Sequence, residues 1–182
     1  MRQQKLSLEA LLRLMTDQQR LVCEHVLADF TQLDGVPGSS YNHQTWRGGY
    51  RNHVEEVMNL AYILYPLLNG LRRLKFSLDE ALFVSFIHDM DKLFRYEIVD
   101  GKMVTKAQYS PESFKNTGRF LKKHYGYALS ADEMNALQYV HGEGKDYSSK
   151  RRAMNELAAF VHCCDIISAR IWFDKGKNKR HW

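Results

Sequence analysis

Apolar residues recur every three or four positions through most of the chain, which is the spacing of an amphipathic α-helix. Glycines and a proline interrupt the pattern between Thr31 and Gly49, so an irregular loop is predicted there. The chain is therefore expected to be all-α. The pattern predicts helices at about residues 7–29, 51–68, 78–91, 110–125, 130–141 and 150–174.

The helix predicted from Leu78 is expected to be the centre of the fold. Ser77 and Glu80 have the spacing of a capping box, which marks its first turn. The residues at 81–87 are apolar nearly all round the helix, and such a helix is normally enclosed by others. A small β-hairpin is expected near residues 96–105, because Asp100-Gly101 separates two short strand-like runs.

Length and composition favour one compact domain over residues 1–182. Of these residues, 45% are hydrophobic and 26% are charged, which is ordinary for a globular protein. No apolar run approaches the ~20 residues that a membrane-spanning helix needs. The first five residues also lack an apolar signal core, so a cytoplasmic protein that does not contact a membrane is expected. Cys23, Cys163 and Cys164 lack the spacing of a zinc knuckle and are expected to be reduced core residues.

The chain carries a net charge of +5, with much of the excess in the basic tail at residues 175–182. A positive balance of this kind weakly favours a phosphate-bearing partner. A basic tail is also a common solvated chain end. The charge therefore stays a secondary indication.

A histidine followed directly by an aspartate, His88-Asp89, comes where the apolar run of the central helix stops. His53 lies near the start of the helix before it, and Asp165 lies inside the last helix. Imidazole and carboxylate groups brought together from separate helices are typical ligands of a divalent metal ion. Taken singly, each could instead be a hydrogen-bonded core residue, and Asp165 could simply pair with Arg170.

The order of these residues along the chain resembles a known family signature. His53, His88-Asp89 and Asp165 are similar to the His…His-Asp…Asp set of the HD superfamily of metal-dependent phosphohydrolases. That family is built on an all-α bundle. The resemblance covers about residues 40–170 and leaves the N-terminal helix at 7–29 and the basic tail outside it.

Local segments sharpen the resemblance. The segment at 43–53 is similar to the His-x-Gly-Gly-Leu-x-x-His segment of HD-type 3′-5′ exoribonucleases. The segment at 88–92 is similar to the His-Asp-x-x-Lys variant of those enzymes and of HD-GYP phosphodiesterases. The segment at 140–143 resembles their His-His-Gly segment, and 158–165 resembles their final aspartate helix.

The resemblance implies a set of metal ligands. His53, His88, Asp89 and Asp165 would bind one divalent ion, and His141 could help to hold a second ion with Asp89 bridging the two. Two-metal relatives carry a further histidine after the hairpin region, whereas residues 106–109 contain none. The second ion is therefore left open. The sequence does not distinguish Mn, Mg, Ni, Co, Fe or Zn as the metal.

Basic residues near the ligand set suggest how an anionic substrate would bind. Lys92, three residues after Asp89, could clamp a phosphoryl oxygen or orient a water molecule, or be a solvated lysine. Two basic clusters border the ligand set and are expected to bind substrate, although runs of charge often form ordinary surface. Their members are Arg47 and Arg51 beside His53, and Lys145 and Arg151 after His141.

These observations predict a metal-dependent hydrolase of phosphoester bonds, with Asp89 and Lys92 as catalytic residues. The expected substrate is a nucleotide or a short nucleic acid, and the sequence does not separate mononucleotide hydrolysis from 3′-end trimming. The alternative is a non-catalytic HD-fold module that binds a nucleotide or a protein partner. An iron-dependent HD oxygenase would need further ligands that the sequence does not identify. The oligomeric state does not follow from the sequence.

Overall fold

The computed structural model describes residues 5–30, 35–39, 43–99, 102–105 and 113–172. The chain is mostly helical in these ranges, which confirms the all-α expectation. The helices are α1 (Leu8–Leu12), α2 (Asp17–Asp29), α3 (Gly49–Leu71), α4 (Leu78–Ile87), α5 (Lys92–Arg95), α6 (Ser113–Tyr125), α7 (Ala131–Tyr139) and α8 (Glu156–Arg170). The strands are β1 (Tyr96–Val99) and β2 (Lys102–Thr105).

Helix α4 lies at the centre of the fold, as its apolar sequence predicts. Every residue from Ala81 to Ile87 is buried, and the helix packs against α2, α3, α7 and α8. Its first turn is closed by the predicted capping box, in which the Ser77 backbone donates to Glu80 Oε2 at 2.7 Å. Within the described residues, no helix combines the length and the apolar character that crossing a membrane requires.

Two helices flank α4 and bring the chemistry-bearing residues to it. Helix α3 packs against both α4 and α8, and α8 also packs against α7. Helix α8 is capped at its N-terminus by Asn155, whose side-chain oxygen accepts a hydrogen bond from the Ala158 backbone at 2.7 Å. The C-terminal end of α4 therefore points into a corner formed by α3 and α8, so that residues from all three helices can meet there.

The N-terminal helix predicted at 7–29 is two helices, and the prediction of one is wrong. Helix α1 ends at Leu12 and α2 begins at Asp17. Between them Thr16 caps α2, with its hydroxyl accepting from the Gln19 backbone at 3.3 Å and its own backbone donating to the Gln19 side chain. The apolar pattern does not reveal the break, because both helices bury apolar residues at helical spacing.

Further helix boundaries differ from the sequence prediction, and two of them bear on the site. Helix α4 ends at Ile87 rather than near Asp91, and α8 begins at Glu156 rather than near residue 150. The chain before α8 is non-helical because Glu143 Oε1 accepts hydrogen bonds from two successive backbone amides, those of Ala153 and Met154.

The hairpin near residues 96–105 is present, with β1 and β2 antiparallel and Tyr96 paired with Thr105. Its predicted turn at Asp100-Gly101 lies outside the described residues, as do residues 110–112 at the predicted start of α6 and the basic tail at 175–182. The three cysteines are free thiols. Cys23 and Cys164 are buried as expected, but Cys163 is exposed, so the prediction of a third core thiol is wrong.

Candidate metal centre

Two helices, α3 and α4, bring two histidines and an aspartate to one point beside the end of α4. His53 comes from the first turns of α3, His88 is the residue at which α4 ends, and Asp89 follows it. Their side chains are almost fully buried. One ligand atom from each lies within 4.8 Å of the other two, so the three residues could hold a metal ion.

The distances suit a single ion. The His53 and His88 Nε2 atoms are 3.2 Å apart, and Asp89 Oδ2 lies 3.6 Å from the first and 3.5 Å from the second. Ligand atoms that share one ion at roughly 2.0–2.2 Å are themselves roughly 3–3.5 Å apart. His88 and Asp89 are sequence neighbours and can converge because the helix stops at Ile87, where the apolar run of the sequence also ends.

Asp165 and His141 stand next to these three residues. Asp165 Oδ1 lies 3.1 Å from His53 Nε2 and 3.8 Å from His88 Nε2. The other Asp165 oxygen is 3.2 Å from His141 Nδ1, and His141 Nε2 is 3.6 Å from Asp89 Oδ1. His141 therefore bridges the two aspartates, and it is the exposed member of the group, with 61% of its side chain accessible.

Hydrogen bonds to the far side of each imidazole orient the two buried histidines. The His88 Nδ1 atom lies 2.7 Å from the Ser85 carbonyl oxygen, which can only accept, so Nδ1 carries the proton. The Nε2 atom of neutral His88 then presents a lone pair to the cluster, as a metal ligand must. His53 Nδ1 is 3.0 Å from the Ser168 hydroxyl, which ties α3 to α8.

The pKa shifts of His88, Asp89 and Asp165 favour the protonation states that metal ligands need, whereas that of His141 favours a charged ring. Burial lowers the pKa of His88, which favours the neutral ring. Burial acts to raise the pKa of Asp89, but the Lys92 ammonium, His88 and His141 together outweigh it and hold that pKa well below the usual range. The pKa of Asp165 is likewise lowered against the effect of burial, by hydrogen bonds from His141 and His53. Burial opposes charge on His141 too, yet its hydrogen bonds to Asp165 and Asp89 raise its pKa to about 10.

Lys92 lies where the sequence placed it, one turn beyond Asp89. Its ammonium contacts Asp89 Oδ2 and the Gly38 carbonyl oxygen, so it joins the cluster to the loop before α3. Its side chain is only 13% exposed, which argues against the alternative of a solvated lysine.

A cavity of about 210 Å³ opens over the cluster. Its lining comprises His43, His53, Asp89, Lys92, His141, Asp165, Ile166, Ala169 and Arg170. A larger groove of about 950 Å³ lies between the end of α3 and residues 73–80, but no histidine is among its lining residues. Of these two cavities, only the smaller one is lined by histidines and aspartates of the cluster.

The four basic residues predicted to bind substrate are not among the residues that line this cavity. Arg51 pairs with Glu9, with Nη2 3.2 Å from Oε1, and Arg47, Lys145 and Arg151 are exposed. Their proposed role stays a prediction. Arg170 lines the cavity instead, although its position in the sequence suggested only a pairing with Asp165.

His43 is a second lining residue to which the sequence analysis gave no role. Its ring centroid is 4.6 Å from that of His53. Burial lowers its pKa to about 4. The one feature of the sequence that could have indicated a role for His43 is its place at the start of the segment that contains Gly48-Gly49, ten residues before His53. No helical spacing connects the two histidines.

The loop before α3 is held by contacts that only glycine permits at position 49. Gly49 packs so closely that a Cβ atom there would lie 1.8 Å from the Gln44 carbonyl oxygen. That oxygen also accepts a hydrogen bond from the Gly38 backbone at 2.9 Å. The two loop segments around Gly38 and Gln44 are thereby fixed against the start of the helix that carries His53.

Gly49→Ala is therefore expected to destabilise the protein by about 1–3 kcal/mol, because the backbone oxygen it meets cannot move without breaking the loop. Gly70→Ala is the matched control in the same helix, where a Cβ atom meets nothing within 4 Å. The control should be neutral or stabilise by about 0.4–1 kcal/mol. Thermal melting measures both, at roughly 2–4 °C for each kcal/mol. Equal melting temperatures for the two variants would contradict the close packing at Gly49.

Comparisons of the chain with protein-family models, with curated proteins and with solved structures found no significant match. The description of the molecule therefore rests on its own fold and side chains. These define an all-α protein with a buried histidine–aspartate cluster that could hold a metal ion.

Proposed function

We propose that this protein is a metal-dependent phosphohydrolase that cleaves a phosphoester bond of a nucleotide or of a nucleic-acid phosphodiester. The observation that carries the proposal is the meeting of four side chains from three helices, those of His53, His88, Asp89 and Asp165. All of them except His88 line one cavity. Burying carboxylate and imidazole groups side by side costs free energy unless they are paired or bind a cation. A divalent ion would satisfy all four at once.

The difficulty of phosphoester hydrolysis indicates why such a cluster would be useful. Water is a poor nucleophile with a pKa of 15.7, and a bound divalent ion would lower this to about 7–9 and supply hydroxide at neutral pH. That raises the hydroxide fraction by roughly six to eight powers of ten, whereas a general base alone contributes about 10²–10⁴. In this mechanism the buried Asp89 and the two histidines hold the ion.

The residues on the rim of the cavity would act on the substrate. The Lys92 ammonium lies against Asp89 and is positioned to contact a phosphoryl oxygen that approaches the cluster. Arg170 adds a second positive side chain to the lining. His141 would hold a second ion in exchange for its proton, or remain charged and bind phosphate directly.

The proposal includes membership of the HD superfamily. In its support, the four residues occur in the family's order along the chain and on an all-α fold. His88 and Asp89 also lie at the end of α4, where the side chains of two neighbouring residues can converge on one ion.

A binding module without catalysis is the second candidate, and one contact favours it. The Lys92 ammonium contacts Asp89 Oδ2, the same oxygen that faces both imidazoles. The chain thus carries its own cation beside the carboxylate, so ionised Asp89 does not require a metal. A nucleotide or a protein partner could then bind in the cavity without being cleaved.

One experiment separates the two candidates. Protein purified without chelator would be analysed for bound metal and then assayed for phosphate release from a panel of nucleotides and oligonucleotides with Mn²⁺, Mg²⁺, Ni²⁺ and Co²⁺. The hydrolase proposal predicts bound metal and release with at least one ion. Protein that carries no metal and is inactive with every ion would favour the binding module.

A further inference from the structure

His43 lies beside the cluster with both of its ring nitrogens unused by the described residues. Neither Nδ1 nor Nε2 has a hydrogen-bond partner there, although both atoms are shielded from solvent. A polar group enclosed without a partner is unfavourable, so such a group in a folded protein calls for an explanation. His43 also lines the cavity that contains Asp89, Lys92 and Asp165.

The chain holds His43 in this place with a constrained backbone. The next residue, Gln44, has a positive φ of 44°, which non-glycine residues rarely adopt. Gln44 is buried, and its side-chain amide donates to Glu56 on α3, one turn beyond His53. Backbone strain of this kind persists where the surroundings fix it, and it is concentrated at functional sites.

His43 stands next to the metal-ligand group rather than within it. The mutually close ligand atoms belong to His53, His88 and Asp89, while the His43 ring lies against the His53 ring at a tilt of 43°. A side chain one step away from the ion's position is suited to contact a molecule that the ion holds. The cavity of about 210 Å³ is smaller than the roughly 300–1,000 Å³ of pockets that enclose whole small ligands, so it would accept only the reacting end of a substrate.

We infer that His43 is a catalytic residue that contacts the substrate: its ring turns about the Cβ–Cγ bond, so that a nitrogen now shielded from solvent donates a hydrogen bond to a phosphoryl oxygen of a phosphoester held at the metal cluster. The inference rests on the proposed function and adds a substrate contact to it. Lys92 and Arg170 line the same cavity and supply positive charge to the same phosphoryl group. His43 differs from them in adding a directional donor without a full charge.

The test separates metal binding from phosphate binding. Wild-type protein is compared with His43→Phe, which keeps an aromatic ring against His53 but removes both nitrogens, and with His43→Asn, which restores a donor. His124→Phe is the matched control, because His124 is exposed and stacks on Phe120, with ring centroids 4.2 Å apart, outside the cavity. The readouts are the Mn²⁺ affinity by calorimetry and the affinity for inorganic phosphate, measured by phosphorus-31 line broadening from protein-bound Mn²⁺.

H43F is expected to bind Mn²⁺ within about threefold of wild type and to bind phosphate at least about tenfold more weakly, the usual effect of a hydrogen bond to a charged group. H43N should recover part of the loss, and H124F should match wild type. If the phenyl ring lowers the melting temperature, His43→Ala carries the same expectation.

Two results would overturn this inference and leave the proposed function standing. One is a normal phosphate affinity in H43F, and the other is a tenfold loss of Mn²⁺ affinity, which would make His43 a metal ligand. Wild-type protein that binds Mn²⁺ but not phosphate would also overturn it. Wild-type protein that fails to bind any divalent ion would remove both the inference and the proposed function.

Discussion

Replacing Asp89 by asparagine is expected to abolish phosphate release, lowering kcat/KM by roughly 10³-fold or more, because in the proposed mechanism the carboxylate would be a ligand of the ion that supplies the nucleophile. Asp89→Ala should behave alike. Asparagine is the sharper change, since it keeps the volume of a buried side chain and removes only its charge. Steady-state phosphate release with the preferred ion measures the effect.

Loss of turnover in this variant must not come from unfolding. Breaking a buried ion pair from one side costs about 3–5 kcal/mol, and Asp89 is paired with the largely buried Lys92. Helix content should nevertheless be unchanged by circular dichroism, because the core around α4 is apolar. Asp17→Asn is the control, as Asp17 is 92% exposed and pairs with Arg20. A D89N variant with normal turnover would refute the role of Asp89.

Removing divalent ions with a chelator is expected to eliminate activity while leaving the protein folded. An ion present at 100 times its Kd stabilises the folded state by about 2.7 kcal/mol. For a chain of 182 residues, this corresponds to a melting temperature that is roughly 5–10 °C higher with the ion than without it. The measurement is thermal melting with Mn²⁺ and then with excess chelator.

D89N provides the comparison for this second experiment. Its melting temperature should hardly respond to Mn²⁺, because one of the three closest ligand atoms is changed from an anionic to a neutral oxygen. If wild-type protein melts at the same temperature with Mn²⁺ and with chelator, the cluster does not bind this ion, and the other divalent ions must be tested in the same way. No response to any of them would contradict a metal centre.

The helices and the buried centre could be predicted from the order of residues. The apolar stretch at 81–87 and the Ser77–Glu80 capping box specify α4 locally, through helical spacing and a side-chain hydrogen bond within one turn. The Thr16–Gln19 capping box was equally readable, and its omission led to one predicted helix where two exist. The late start of α8 could not be predicted, since it depends on hydrogen bonds that Glu143 accepts from backbone amides ten or more residues away.

The types of residue that could bind a metal follow from the sequence, because histidines and aspartates among apolar neighbours are conspicuous. Their distances do not. Whether His53 and Asp165 come within 3.1 Å depends on how α3 and α8 pack against α4, which is a sum of many contacts between distant segments. The basic residues illustrate the same limit, because Arg51 pairs with Glu9 while Arg170 lines the cavity. Local spacing specifies helices and their faces, whereas a cavity and its lining exist only once those faces have packed together.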